Sequence, residues 1–306
     1  MKFLNCRFAV FISLCFLVPF LRYEAQAIDR SDNLALFPRR IVSLAPSVTE
    51  TLFALGFADR LVGVTTYCDY PPEARQLPKI GGFMNPSLEA IFAKHPDLVI
   101  GVSGATDPIS AREMERLGLN VKLISLANLR EILNSIRTLA QLLGNPQAGE
   151  KLASKITLKI DDVKRRIELA RRRSVLMVVG THPVIAVGGK NFIDELVTLA
   201  GGENIAGNSS QPWLNLPDEY VVAKAPQVII EAGMGSEREN STRRWDDLKS
   251  IPAVREKRVY AYGSDKILRP GPRVGDALAE LARLIHPECF SSNKGYAGTP
   301  CERPKP

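Results

Sequence analysis

Three aromatic residues, Tyr67, Phe83 and Trp213, stand in or near segments where short β-branched runs give way to amphipathic ones. Flat side chains at such places suit a large, planar, partly apolar ligand. Residues for chemical turnover are not spaced to match. Gly101-Val102-Ser103-Gly104-Ala105 misses the G-x-S-x-G nucleophile elbow at its last position, and no strand leads into a G-x-x-x-x-G-K-S/T phosphate loop. His95, His182 and His286 each precede a proline and share no ligand spacing, so they read as packed or capping histidines. The chain therefore reads as a binding protein and not an enzyme, with no metal site and no resident cofactor. Glu89 and Glu219 fall near the starts of two matching helices, where negative charge favours the helix dipole. Their repetition also suggests two acidic pegs that could meet basic sockets on a two-fold symmetric partner.

The elements that would position these residues alternate strand and helix. Ile41 to Leu44 reads as a strand and Ser47 opens a helix through an S-x-x-E capping box with Glu50, which Gly56 would end. Strands are expected at Leu61 to Thr65, Leu98 to Val102 and Val121 to Ser125, with helices opening at Asn85-Pro86 and Ser110. Leu129 to Leu143 is helical, and Gln147 to Arg173 carries no proline and repeats Leu152, Ile156, Ile160, Val163 and Ile167 at spacings of three and four. The α/β pattern resumes at Ser174 and runs through the helices Phe192 to Ala200 and Val274 to Ile285. Most informative is an ungapped internal repeat: residues 88–100 align with 218–230, matching Glu89 to Glu219, Ala93 to Ala223, Lys94 to Lys224 and Pro96 to Pro226. The expected fold is α/β, two Rossmann-like lobes with parallel sheets joined by a single long backbone helix. Its expected parts are an N-terminal lobe at 28–145, the linking helix at 146–173, a C-terminal lobe at 174–287 and an irregular tail at 288–306. In open α/β sheets ligands bind outside the carboxyl ends of the strands, so the loops of two such lobes would face across a cleft.

Composition sets the setting. The chain has 306 residues, 45% of them hydrophobic and 24% charged, which excludes disorder and a multi-spanning membrane protein. Its net charge of +7 is spread along the chain rather than gathered with nucleic-acid-reading residues. Residues 1–27 read as a secretory signal peptide, with a basic start, an apolar run from Phe8 to Leu21 and Ala25-Gln26-Ala27 as the cleavage site. Cleavage would leave Cys68, Cys289 and Cys301, of which Cys289 and Cys301 could pair in the tail and leave Cys68 a lone thiol.

Several strings resemble the periplasmic substrate-binding proteins of ABC importers, in the group with a helical backbone, and most resemble its cobalamin-binding members. They are residues 41–50 (Ile41-Val42-Ser43-Leu44-Ala45-Pro46-Ser47-Val48-Thr49-Glu50) and residues 62–74, which include Tyr67-Cys68-Asp69-Tyr70-Pro71-Pro72. Asn85 to Ile91, Pro96 to Ile100, Gly201 to Ile205 and Pro212-Trp213 extend the likeness across about Arg40 to Ile285. The resemblance implies a periplasmic receptor, monomeric when free, that carries cobalamin as its transported ligand. Tyr67, Phe83 and Trp213 would touch the corrin, Asp265 and Arg273 would lie near the cleft, and Glu89 and Glu219 would dock to a dimeric ABC permease with its ATPase subunits. Phe83 and Val102 stand where the best-known cobalamin binder has tryptophans, which keeps another corrinoid, a haem or a ferric siderophore as the alternative ligand.

Overall fold

Short, buried, β-branched runs frame both halves of the chain. In the computed structural model, which describes residues 37–181, 183–233 and 241–290, Ile41–Ser43 forms β1, Pro46–Ala54 α1 and Leu61–Val64 β2. Leu88–Phe92 (α2), Leu98–Val102 (β3), Pro108–Arg116 (α3) and Val121–Ile124 (β4) follow. The four strands pair in the order β2-β1-β3-β4, all parallel. Side chains of Ser87 and Asp107 accept from amides of the first turns of α2 and α3, satisfying donors that a helix start leaves unpaired.

Leu129–Leu142 (α4) and Pro146–Arg166 (α5) are capped by Asn128 and Asn145 and pack on one another. Gly149 permits their close approach, because a Cβ there would come within 2.5 Å of the Ala140 methyl. Ile156, Ile160 and Val163 of the expected stripe are buried. The 21 residues of α5 span roughly 32 Å. The helix stops short of Arg173, which the second sheet claims by pairing it with Gly202.

That sheet is built from Arg173–Thr181 (β5), Val184–Val187 (β6), Gly202–Asn204 (β7), Trp213–Asn215 (β8), Val228–Glu231 (β9) and Val259–Ala261 (β10). Helices Phe192–Leu199 (α6), Asp218–Lys224 (α7), Pro252–Arg255 (α8) and Val274–Ile285 (α9) accompany it. Strand order is β10-β9-β5-β6-β8, with β7 on β5. β5, β7, β9 and β10 are parallel, whereas β6 runs antiparallel to both of its neighbours, β5 and β8. The two-lobed α/β class holds, and the second sheet departs from the purely parallel form expected. Val184, Ala186 and Val187 are buried, and that burial is gained by folding back along β5.

The internal repeat extends to backbone detail. α2 leads to β3 as α7 leads to β9, and Ile41 pairs with Leu98 as Val175 pairs with Val228. His95 and Ala225, equivalent residues before the matching prolines, adopt left-handed φ values of 44° and 45°. Asp97 accepts from the Arg40 amide ahead of β1, and Gln227 at the equivalent position accepts from the Ser174 amide in β5. One hydrophobic core unites both sheets through α4, α5 and α9, so the lobes share an interior.

Candidate functional site

The site starts from a carboxylate in α1. No side chain caps this helix: Ala45 is its N-cap, Pro46 its first residue, and Ser47 and Glu50 do not form the expected capping box. Glu50 is instead 2% exposed, its side chain turned into the region where the second half of the chain returns. Arg273 grips it with two bonds, Nε to Oε2 at 2.7 Å and Nη2 to Oε1 at 2.6 Å. Arg269 adds a third, Nη1 to Oε1 at 3.0 Å.

Two further carboxylates complete the cluster. Asp69, in the loop after β2, accepts from Arg269 Nη1 at 2.7 Å. Asp265, in the loop after β10, lies 2.7 Å from Arg269 Nη2 and 3.1 Å from Arg273 Nη2. Arg269 Nη2 also donates to the Tyr67 carbonyl at 3.3 Å, and the Tyr70 ring lies 3.9 Å from the Arg273 guanidinium carbon. Burial by itself would lower the pKa of both arginines, yet their carboxylate partners outweigh it and raise them, so both stay charged. Burial likewise pushes the Asp69 carboxyl up, but the Arg269 guanidinium holds it below the usual carboxylate value. The arrangement ties helix α1 to the loop after β2 and to the segment after β10, near the carboxyl ends of strands from two sheets, where open α/β folds bind ligands.

Each residue singled out from the sequence has a definite place. Tyr67 is 61% exposed beside this cluster and Trp213 is 47% exposed at the start of β8, an edge strand. Phe83 is half-buried against the main core, next to Met84, which is 73% exposed. The other tryptophan, Trp245, is fully buried and donates to Glu231 at 2.7 Å. Asp265 and Arg273 meet directly, with Glu50 as their common partner. Glu89 and Glu219 are exposed in the first turns of α2 and α7, equivalent positions of the repeat. Sequence reasoning missed Glu50, Asp69, Tyr70 and Arg269 as site residues. Glu50 and Asp69, the partners of Arg269 and Arg273 in the first half of the chain, lie 200 to 223 positions away, and no local pattern joins them.

Among the described residues, the cysteines and histidines that lie near one another are held by other partners. Cys68 is a buried free thiol packed between the Thr49 and Thr65 hydroxyls, 3.1 and 3.2 Å away. His286, Glu288 and Cys289 cluster, yet Cys289 is disulfide-bonded and His286 Nε2 donates to the Gly201 carbonyl at 3.2 Å. Cys301, the partner expected for Cys289, lies outside the described residues, as do His182 and the expected signal peptide.

Two lobes with their strand ends turned toward a shared ionic cluster form the frame of a binding protein. Residues 41–266 match the family described as periplasmic binding protein, and the chain belongs to that family. The vitamin B12-binding protein of Vibrio cholerae serotype O1 is 30% identical over 250 residues, which cover 81% of this chain and 90% of the relative. Among solved structures, the periplasmic vitamin B12-binding protein of Vibrio cholerae matches with a TM-score of 0.74 and 28% identity, covering 81% of this chain and 96% of that one. The apo periplasmic haem-binding protein from Roseiflexus sp. RS-1 matches with a TM-score of 0.74 and 31% identity, over 82% of this chain and 99% of that one.

Proposed function

We propose that the protein is an exported receptor that takes up cobalamin between its lobes and passes it, chemically unchanged, to an ABC-type importer. The likeness to vitamin B12-binding proteins along nearly their whole length carries this reading. In it, cleavage after Ala27 releases a monomer whose first lobe ends near residue 145 and whose second begins near 174, with α5 between them. Tyr67, Phe83 and Trp213 contact the corrin, and Glu89 and Glu219 meet the two permease subunits. No metal or cofactor belongs to the receptor itself.

Haem or a ferric siderophore is the second reading, favoured by the likeness to the Roseiflexus haem-binding protein. The exposed Tyr67 and Tyr70 could offer a phenolate to iron. Against it stands the ionic cluster, whose arginines are already committed to carboxylates. The test is to incubate the protein separately with cyanocobalamin and with haemin, desalt it and read visible absorbance in the protein fraction. A stoichiometric corrin spectrum is the expected outcome, and Trp213→Ala weakens that binding by about tenfold or more, as loss of an aromatic anchor does. A haem spectrum with no corrin retained would replace the ligand and keep the fold.

A further inference from the structure

Tyr67 stands in a turn whose carbonyls need donors from elsewhere. Pro71 and Pro72, which follow Tyr70, carry no amide hydrogen, so two donors that could close the turn are missing. Within the turn the Cys68 amide donates to the Thr65 carbonyl at 3.1 Å. The next three carbonyls each accept from a different cationic side chain. Arg269 Nη2 donates to Tyr67 at 3.3 Å, Lys79 Nζ to Cys68 at 3.1 Å and Arg75 Nε to Asp69 at 3.2 Å. Lys79 Nζ also donates to the Ala74 carbonyl at 3.0 Å, which ties the short helical turn Pro72–Gln76 to the same loop. The Asp69 side chain, 48% exposed, is held by Arg269, and the Tyr70 ring lies against Arg273. The backbone from 67 to 69 is thus gripped carbonyl by carbonyl, while the Tyr67 ring is left 61% exposed.

We infer that Lys79, with Arg75 and Arg269 beside it, is a positioning residue for Tyr67: it fixes the turn so that the ring already faces outward for a flat ligand. This deepens the corrinoid reading above and rests on it. Hydrogen bonds from charged donors are stronger than neutral ones, so three of them can hold a turn that its own amides cannot close. A ring whose backbone is fixed before the ligand arrives gives up less freedom on binding. Lys79 and Arg75 reach the turn from the same half of the chain, eleven and six positions from their acceptors, whereas Arg269 reaches it from 202 positions away. The presentation of Tyr67 is therefore set by both halves of the chain.

The experiment is a double-mutant cycle on cyanocobalamin affinity, with Lys79→Met, Tyr67→Ala and the two combined in the purified protein. Tyr67→Ala alone is expected to weaken binding about tenfold, and Lys79→Met alone about fivefold, because the loosened turn must be ordered again on binding. In the Tyr67→Ala background Lys79→Met is expected to change affinity by less than about twofold, since a residue that acts through the ring then has nothing to place. Hydrogen exchange separates this from a general loss of stability: amides of residues 65–70 exchange faster in Lys79→Met, while those of β1 and α5 keep their protection. Arg75→Gln, at an exposed side chain, repeats the cycle should Lys79→Met fail to fold, with the same coupling expected. Equal weakening with and without the Tyr67 ring overturns the positioning role, and so does unchanged affinity in both Lys79→Met and Arg75→Gln. Retention of haemin with no retention of cobalamin by the unmodified protein overturns the corrinoid reading itself, and the placing of Tyr67 toward a corrin with it.

Discussion

A carboxylate as deeply buried as Glu50 is tolerated only where close cations offset its lost hydration, and three bonds from Arg269 and Arg273 do so here. Removing one partner of such a group leaves the others uncompensated. Glu50→Gln is therefore expected to lower unfolding free energy by about 3 kcal/mol, measured by urea denaturation. Asp69→Asn, at the half-exposed rim, is expected to cost about 1 kcal/mol or less. A loss of similar size in both variants would contradict the depth ordering of the cluster. His286 gives a second prediction at this scale. It is fully buried, and burial holds its pKa below the ordinary 6.5. Its Nε2 must carry the proton that it donates to the Gly201 carbonyl, so the neutral ring is the form that fits. Between the folded value and 6.5 the unfolded chain binds more protons, so this contribution to stability is whole above about pH 6.5 and falls as the pH drops toward the folded value. Urea midpoints taken from pH 7.5 to 5 should decline for the unmodified protein and decline less for His286→Gln.

At the scale of elements, what could be read in the sequence depended on how local its cause was. β3 and α9 fall at the residues expected, because each is a dense apolar run or stripe bounded by Pro, Asp or Gly. The repeat was legible for the same reason, and its matched left-handed residues before Pro96 and Pro226 argue for shared construction rather than chance likeness. Three short strands, β6, β7 and β8, were not legible: each has three or four residues and is stabilised by pairing partners that no short window contains. The ionic cluster failed in the same way, and the local S-x-x-E pattern misdirected Glu50 to a cap. Gly149 shows a contact-driven requirement that can be tested. Gly149→Leu would force α4 and α5 apart at Ala140 and the Arg137 backbone. The expected result is a loss of about 2 kcal/mol or more in urea denaturation, since overpacking of a close helix contact cannot relax cheaply. Gly56→Ala, where no atom lies within 4 Å of the added methyl, is the contrasting control for steric crowding, its cost arising from a φ of 83° alone.

For the whole molecule, the joint between the lobes decides how a ligand could be taken and released. The halves share a core, and polar ties cross between them: the Leu129 amide donates to Glu195 at 2.7 Å, Lys159 meets Asp276 at 2.5 Å, and Glu50 holds Arg273. An unbroken α5 lies along this joint, and bending a packed helix takes more free energy than flexing a loop. A receptor so tied would change little on loading, and release would need force applied to both lobes at once. Glu89 and Glu219 are suited to that task under the proposed function, one exposed carboxylate on each lobe at equivalent places of the repeat. Reversing both, as Glu89→Lys with Glu219→Lys, is expected to leave cyanocobalamin affinity within about twofold, because neither side chain belongs to the cleft cluster. Uptake of labelled cobalamin by cells relying on this receptor should then be lost, each single reversal giving a partial defect, as expected when two like-signed contacts engage one complementary surface. Normal uptake with the double variant would remove the pegs from the transport scheme while leaving the cleft assignment intact.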